Sequence, residues 1–530
     1  MERRRVRFGA LAVVLAITAG ACGSSSDDGT AADGTVIDNN ARGAAQSAIG
    51  NTSTTAESAA PTEVASMDDW LALWDTEREA LKETIAENGW GWDQAANKVT
   101  GPGGFEVDLS SCPAGWDAYQ GLDGDVIHLG QTMAQSGTLA DYGNIGIAQT
   151  LYYNWINEQG GITDSTGKTF TIETQIRDDA YDPAKTVPLV DELLDSQGVF
   201  ALQTLGSPNT MKVYDKINQR CVPQPYVMTG HPAWGDPVNH PWTWGMQLAY
   251  NTEAILWGGL LEQKFADRDE ITVAALIMQN DFGKAYELGF NEYVKTASKP
   301  KINFVFERID PTAATVTNQM TTLAARNPDV FIAMTAGTSC TQAVIEAANN
   351  GLKNTATMLF QPSVCKSKSF VGKDAVGGDG SATNGWWIVG GGAKDFTDPA
   401  LADDPFVAFA LDLLEKGGSP ISKSATLASG FGFAWPLEQS LRLAAELPGG
   451  LSRPNFMLAA RVLDMTDPNL LPGIRFNMSG NDDAYPTEGS EFGVYDSSKQ
   501  SWVTQTDLGI IELSGKSKPC AWDQSVNSCG

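Results

Sequence analysis

From Val126 to about residue 390 the chain alternates short apolar runs of strand type with longer runs of helical spacing. This alternation narrows the available folds more than any other feature. Strand-like runs fall at 126–133, 169–177, 199–205, 225–229, 271–278, 302–308, 330–335, 357–360 and 386–390. Helical runs stand between most of them, at 145–157, 184–195, 211–219, 251–265, 283–296, 316–325 and 341–350. Strand and helix in strict turn predict parallel sheets covered by helices on both faces. One such sheet rarely needs so many strands, so two are expected. Beyond residue 400 the pattern changes, with helical runs at 401–415, 425–446 and 454–463 and then hairpin-like strands at 474–477, 492–495 and 501–506. The chain is expected to return to an earlier domain to finish.

The N-terminus reads differently. A basic stretch through Arg7 is followed by an apolar run over residues 8–21 and then Cys22, the layout of a secretory signal and too short for a span of ~20 residues. Ala19, Gly20 and Ala21 before Cys22 resemble a bacterial lipobox, with Ala19 where Leu is usual. That resemblance implies a diacylglyceryl anchor on Cys22. Adjacent arginines leave the choice between the general and twin-arginine export routes open. Residues 22–65, rich in Ser, Thr, Ala, Gly, Asp and Asn, carry too little apolar surface to order and read as a disordered tether. Trp70, Leu73, Trp74, Leu81 and Ile85 fall near helical spacing, so a helix over 67–87 is expected, packed on the main body and ended by Asn88 and Gly89.

Composition excludes several classes. A formal net charge of −28 argues against nucleic acid and anionic membrane surfaces as partners, because both select basic patches. Seven cysteines leave six once Cys22 is set aside, and an even number in an exported chain suggests disulfides whose connectivity stays open. Sequence order favours Cys520 with Cys529 and Cys340 with Cys365, leaving Cys112 with Cys221. No CxxC spacing is present, so neither a metal nor a cofactor is expected. The three histidines stand in no HExxH, no GxSxG occurs, and "GGGAKD" at 390–395 lacks the ending of a phosphate loop. No enzymatic activity is expected.

One loop carries the functional reading. "GQTMAQSGTLADYGN" over residues 130–144 is small and hydroxylated, between a strand and a helix. With "IGIAQTLYYNWINEQGGI", "TIETQIRDDAYDPAKTVPLVDELLDSQGVFAL", "TLGSPNT", "ITVAALIMQNDFGKAYELGF" and "TNQMTTLAARNPDVFIAMTAGT" in order, the chain over about 125–513 resembles the type I periplasmic binding proteins of the branched-chain amino-acid and amide group, which feed ABC importers. The resemblance implies a clamshell of two doubly wound parallel-sheet α/β lobes joined by a three-crossing hinge, with a small amino-acid-like or amide-like solute between them. The expected division is signal peptide 1–21, tether 22–65, helix-and-loop extension 66–125, first lobe 126–248 and 391–465, second lobe 249–390 and 466–513, and a disulfide-clipped tail 514–530.

By the same resemblance Tyr142 and Phe282 are aromatic walls, Ser207 and Thr229 hold a ligand carboxylate, and Ser136, Thr335, Thr338 and Ser363 lie at strand ends facing the solute. The family's Glu for the ligand ammonium is missing from the loop Gln361, Pro362, Ser363, Val364, Cys365. Either Asp281 replaces it, or the ligand is not an ordinary α-amino acid. His231 with Trp234, Trp242 and Trp244 would suit a larger or flatter ligand, although tryptophans in strands usually belong to a core. The implied partners are the solute and a membrane permease, with the protein a monomer lipid-anchored outside the cytoplasm. The alternative is a tethered sensor that passes its ligand state to a membrane partner.

Overall fold

The computed structural model describes residues 39–50 and 64–529. The expected signal peptide, Cys22 and much of the tether lie outside the described residues. In the first lobe β1 (Val126–Met133), β2 (Thr169–Asp178), β3 (Ala201–Thr204), β4 (Gln224–Val227) and β5 (Thr243–Gly245) stand in the order 2-1-3-4-5. β1 pairs in parallel with both β2 and β3, a bridge from Leu205 to Met228 carries the sheet to β4, and β4 pairs in parallel with β5. The second lobe repeats the order with β6 (Glu270–Met278), β7 (Lys301–Ile309), β8 (Val330–Met334), β9 (Met358–Gln361) and β10 (Trp387–Val389), then adds antiparallel β11 (Ser490–Asp496) and β12 (Ser501–Thr504). In such an order the chain leaves the first strand in both directions, and a crevice opens at the carboxyl ends of strands one and three. β6 and β8 are apolar through nearly their whole length because helices cover both faces.

The helices that position the cleft are α1 (Asn39–Ala48), α2 (Met67–Asn88), α3 (Asn144–Glu158), α4 (Ser207–Gln219), α5 (Tyr250–Lys264), α6 (Asp281–Thr296), α7 (Thr338–Asn349), α8 (Leu427–Glu446) and α9 (Arg453–Arg461). α2 begins at Ser66, whose hydroxyl accepts the Asp69 N–H, and ends at Gly89 in the left-handed conformation. It packs on the first lobe. Trp74 lies 5.8 Å from Trp435 of α8 and 6.3 Å from Phe406, and its Nε1 donates to the Thr466 carbonyl at 3.1 Å.

Four features depart from the sequence expectation. Residues 39–48, inside the expected tether, form a helix whose Ala41, Ala45 and Ile49 are buried. α1 lies against the second lobe on α5, where Gly259 leaves room for Ile49 and Arg42 reaches Glu262 and the Tyr293 ring. Small residues there do bury enough surface, because α5 is buried from Tyr250 to Leu261 and α1 supplies part of its cover. Second, residues 464–477, mostly assigned to the second lobe, stay on the first. Asp464–Met465 pairs with Phe476–Asn477, and Phe476 packs on Tyr226 and Trp435. Third, the tail is no free clip, since the Cys520 N–H donates to the Gly235 carbonyl and Trp522 sits edge-on to His231 at 4.5 Å. Fourth, β5 is a strand the sequence pattern did not mark, because three residues between prolines and glycines carry no periodicity.

Disulfides join Cys112 to Cys221, Cys340 to Cys365 and Cys520 to Cys529, with Cα separations of 5.7, 5.9 and 4.9 Å. The first ties the extension to the first lobe. The second ties α7 to the loop after β9.

Truncating Trp74 leaves a cavity between α2 and α8, so Trp74→Ala is expected to destabilise the chain by about 3–5 kcal/mol. Urea unfolding followed by circular dichroism measures this. A loss smaller than about 0.5 kcal/mol, within the range of a surface substitution, would make α2 a detachable arm rather than part of the lobe.

Candidate functional site

The carboxyl edges of the two sheets face each other, and between them lies a cavity of about 200 Å³. Leu139 and Tyr142 reach it from the loop after β1, Leu205 and Gly206 from β3, Met228 from β4, Ala336 from β8 and Ser363 to Ser367 from β9. Its lining is mainly apolar. Tyr142, Tyr181, Tyr250, Phe282 and Met228 stand near the strand ends, and Met246 and Leu248 line the first crossing between lobes. Phe396, Phe433 and Leu470 lie on the hinge side. Tyr181 can reach the cavity because residue 206 is glycine: at φ +93° a Cβ there would stand 2.2 Å from the Tyr181 ring.

The lobes are closed on each other. The Tyr142 hydroxyl donates to the Val364 carbonyl at 3.0 Å and accepts the Gly337 N–H at 3.1 Å, so one first-lobe side chain holds two second-lobe loops. Beside it Thr138 donates through Oγ1 to the Pro311 carbonyl at 2.9 Å and accepts the Thr338 N–H at its own carbonyl at 3.1 Å. Gly337 is required at this contact. Its φ is +61°, and a Cβ would meet the Thr138 carbonyl at 2.6 Å. On the hinge side the Ala425 N–H donates to Ser369 Oγ at 2.9 Å, and Thr426 Oγ1 to Ser367 Oγ at 3.0 Å.

Of the residues expected at the solute, Tyr142, Phe282 and Ser363 line the cavity. Ser207 and Thr229 lie one residue behind it. Their hydroxyls meet at 2.7 Å, and Thr229 continues to Tyr250 Oη at 3.2 Å, making a buried hydroxyl chain at the N-terminus of α4. Thr335 is buried behind Ala336. Ser136 is exposed and hydrogen-bonds Asp178, and the Thr338 side chain is exposed while its backbone makes the closure contact. Asp281 is partly buried outside the lining, its carboxyl raised by burial against the opposing Lys284 charge. Trp234, Trp242 and Trp244 are core residues with almost no exposure and do not line the cavity.

Sequence reasoning did not single out Glu253. Buried on α5, it accepts from Tyr286 Oη at 2.7 Å, from the Ser363 N–H at 2.8 Å and from Ser363 Oγ at 2.9 Å. Burial pushes its carboxyl up to about 7, against the lowering effect of those three donors. It fixes the loop in which the expected acid is missing. The two lysines at the cavity are also committed. Lys366 Nζ is held by Glu491 at 2.6 Å and by the carbonyls of Ala393 and Gly390, and Lys394 Nζ by Asp404 at 2.7 Å and the Pro468 carbonyl at 2.8 Å.

Two sheets of one strand order, facing at their carboxyl edges and joined by three crossings, define a clamshell that closes over a solute. The chain belongs to the periplasmic binding proteins, whose family model matches residues 126–396. The family is extracytoplasmic, and among the described residues no helix is long and apolar enough to cross a membrane. Similar solved structures include a fatty acid ABC transporter substrate-binding protein from Thermomonospora curvata, at 21% identity and a TM-score of 0.62, covering 74% of this chain and 94% of that one. A branched chain amino acid ABC transporter protein from Thermus thermophilus with bound valine follows at 16% and 0.60, covering 72% and 95%. A solute binding protein from Rhodopseudomonas palustris BisB5 in complex with 3,4-dihydroxy benzoic acid stands at 16% and 0.56, covering 70% and 93%. At these identities the likeness establishes the fold. No curated protein matches the chain significantly in sequence.

Removing the Tyr142 hydroxyl takes away two part-buried hydrogen bonds across the cleft, so Tyr142→Phe is expected to weaken closure by about 1–3 kcal/mol. Small-angle scattering should find the variant's radius of gyration larger than the wild type's; equal radii would show that closure does not depend on this contact. For Glu253, the folded state keeps a proton that the unfolded chain releases between the ordinary value of 4.5 and about 7. Its contribution to stability therefore falls as pH rises through that window and is constant above it. The stability difference between wild type and Glu253→Gln should follow this course in urea titrations, and a difference flat with pH would overturn the assignment.

Proposed function

We propose that this chain is the solute receptor of an ABC importer, anchored outside the cytoplasm through Cys22, and that its solute is a mainly apolar carboxylic acid rather than a free α-amino acid. The lining carries the reading. An α-amino acid brings carboxylate and ammonium on one carbon, so the acid that neutralises its ammonium must stand beside the carboxylate site. The Asp395 carboxylate belongs to the hinge side and is turned to the N–H and hydroxyl of Thr397 at 2.9 and 2.7 Å. Glu253 is occupied by Ser363 and Tyr286, and Asp281 is outside the lining. A buried ammonium without a carboxylate is costly.

A carboxylate alone needs no such acid. At the N-terminus of α4 Pro208 has no N–H and the Gly206 N–H is held by the Met228 carbonyl, which leaves the Ser207 and Asn209 N–H groups for an anion, with the Ser207 and Thr229 hydroxyls just behind the wall. From there tyrosines, methionines and phenylalanines continue to the hinge, surface that rewards an apolar body. The fatty-acid-binding structural neighbour from Thermomonospora curvata supports the same class of solute. On the scale on which ~10–15 Å³ admits one water, the cavity of about 200 Å³ has room for a solute larger than that. Function follows from closure: the solute bridges both lobes, stabilises the closed form, and this form is what a permease distinguishes from the open one.

A thermal-shift screen of the chain against medium-chain fatty acids, aromatic acids and the branched-chain amino acids tests the reading. A ligand at ~100 times its dissociation constant adds roughly 2.7 kcal/mol, so the acids should raise the melting temperature while Leu, Ile and Val leave it unchanged. A shift with the amino acids and none with the acids would overturn it.

A further inference from the structure

Tyr181 owes its place to an unusual turn. Ala180 and Tyr181, directly after Asp178 and Asp179 at the end of β2, both stand in the left-handed region, at φ +52° and +61°. For a bulky side chain that conformation is costly and persists only where the surroundings impose it. The two aspartates do so: Asp178 Oδ1 accepts the Ala180 N–H and Asp179 Oδ1 the Tyr181 N–H, each at 2.9 Å. Asp179 is fully buried, and its other oxygen accepts from Thr186 Oγ1 at 2.9 Å and from Asn209 Nδ2 at 2.8 Å. Asn209 lies in the first turn of α4. One carboxylate thus fastens the Tyr181 turn to the start of that helix.

The turn lays the Tyr181 ring on Gly206. Its Cε2 stands 2.2 Å, and its Cζ 3.0 Å, from where a Cβ on Gly206 would be. Cζ carries the hydroxyl, so the phenol oxygen lies beside a helix start whose cap position has no side chain and whose Ser207 and Asn209 N–H groups are open. Tyr181 is 9% exposed and lines the cavity, and among the described residues its hydroxyl has no hydrogen-bond partner. The cavity's other phenols differ, since Tyr142 is bound to Val364 and Gly337 and Tyr250 to Thr229. Nor is the Tyr181 oxygen sealed in the core as Trp257 Nε1 and Thr335 Oγ1 are, so its open side is the cavity's. Burial, with Tyr250, Tyr142, Asp179 and Asp281 nearby, keeps the phenol protonated well above its ordinary range, which makes it a neutral donor. Two N–H groups and one O–H therefore meet at this corner. A head group that only accepts fits them, whereas an ammonium, which only donates, finds no acceptor there except the phenol oxygen.

We propose that Tyr181 is the residue by which the cavity selects a charged carboxylate over a neutral head group, its hydroxyl donating to the same carboxylate that the Ser207 and Asn209 N–H groups hold. The proposal rests on the reading of the solute as an apolar acid and adds the side chain that senses the acid's charge. A hydrogen bond to an ionised acceptor is roughly twice as strong as one to a neutral acceptor, so losing the phenol weakens an acid more than an alcohol of the same chain length.

Isothermal titration of the full chain with octanoic acid and with 1-octanol tests this. The wild type should bind the acid more tightly, and in Tyr181→Phe, which keeps the ring on Gly206, that advantage should fall about tenfold. An advantage that survives Tyr181→Phe unchanged would overturn the assignment while leaving the apolar-acid reading intact. Equal affinities in the wild type would overturn it too, because there would be no selection to assign. Binding of neither probe by the wild type would overturn the apolar-acid reading and the assignment with it. The unliganded variant should melt together with the wild type, since the hydroxyl makes no hydrogen bond within the described residues, and this separates a lost contact from a lost fold.

Discussion

A parallel sheet sends the carboxyl end of every strand to one edge, and the rest of this molecule depends on two such edges being set face to face. The loops that leave β1, β3, β4, β8 and β9 have nowhere to go except the space between the lobes. Each arrives with the free N–H groups of a helix start or the carbonyls of a strand end, and these must find partners across the gap or in a solute. The Tyr142 hydroxyl shows the economy of the arrangement: one phenol, giving and taking a proton, satisfies a carbonyl and an N–H of two opposing loops. Gly337 permits that approach because the Thr138 carbonyl leaves no space for a side chain.

How much of this was legible in the sequence depends on how local the signal was. The alternation of periods placed nearly every strand of both sheets, because a buried parallel strand must be apolar through its length and a covering helix must not. Tyr142 and Phe282 were placed at the cavity by the family resemblance, in the loop after β1 and at the helix start after β6, and both line it. Residues drawn from the hinge and from the returning chain were hidden. Nothing near Asn469, Thr487, Phe396 or Phe433 says that the chain will pass the cavity there, since this follows from how two lobes pack. The same applies to α1, where Ala41, Ala45 and Ile49 repeat at helical spacing but only the apolar face of α5 gives them something to cover. Cys22 and the segment around it lie outside the described residues.

The charged groups near the cleft divide by task. Glu253 draws Ser363 and Tyr286 into one buried cluster and so shapes the wall from behind, while the lysine pairs fasten the crossing segment on either side. Charges paired in this way are poor ligands for a solute, since breaking them exposes an uncompensated partner. The cavity therefore offers hydroxyls, backbone dipoles and aromatic faces instead of ions. It is an environment suited to molecules whose affinity comes chiefly from apolar area.

The first two helices divide between the lobes, α1 resting on the second and α2 on the first, so the chain links the lobes once more before the three hinge segments begin. The docking of α1 has a mechanical consequence. A pull on the chain ahead of residue 39 is delivered to the second lobe, through Arg42, Ile49 and the bond from the Gly50 N–H to the Leu508 carbonyl. An anchor at Cys22, as proposed, would make the second lobe the fixed jaw and leave the swing to the first.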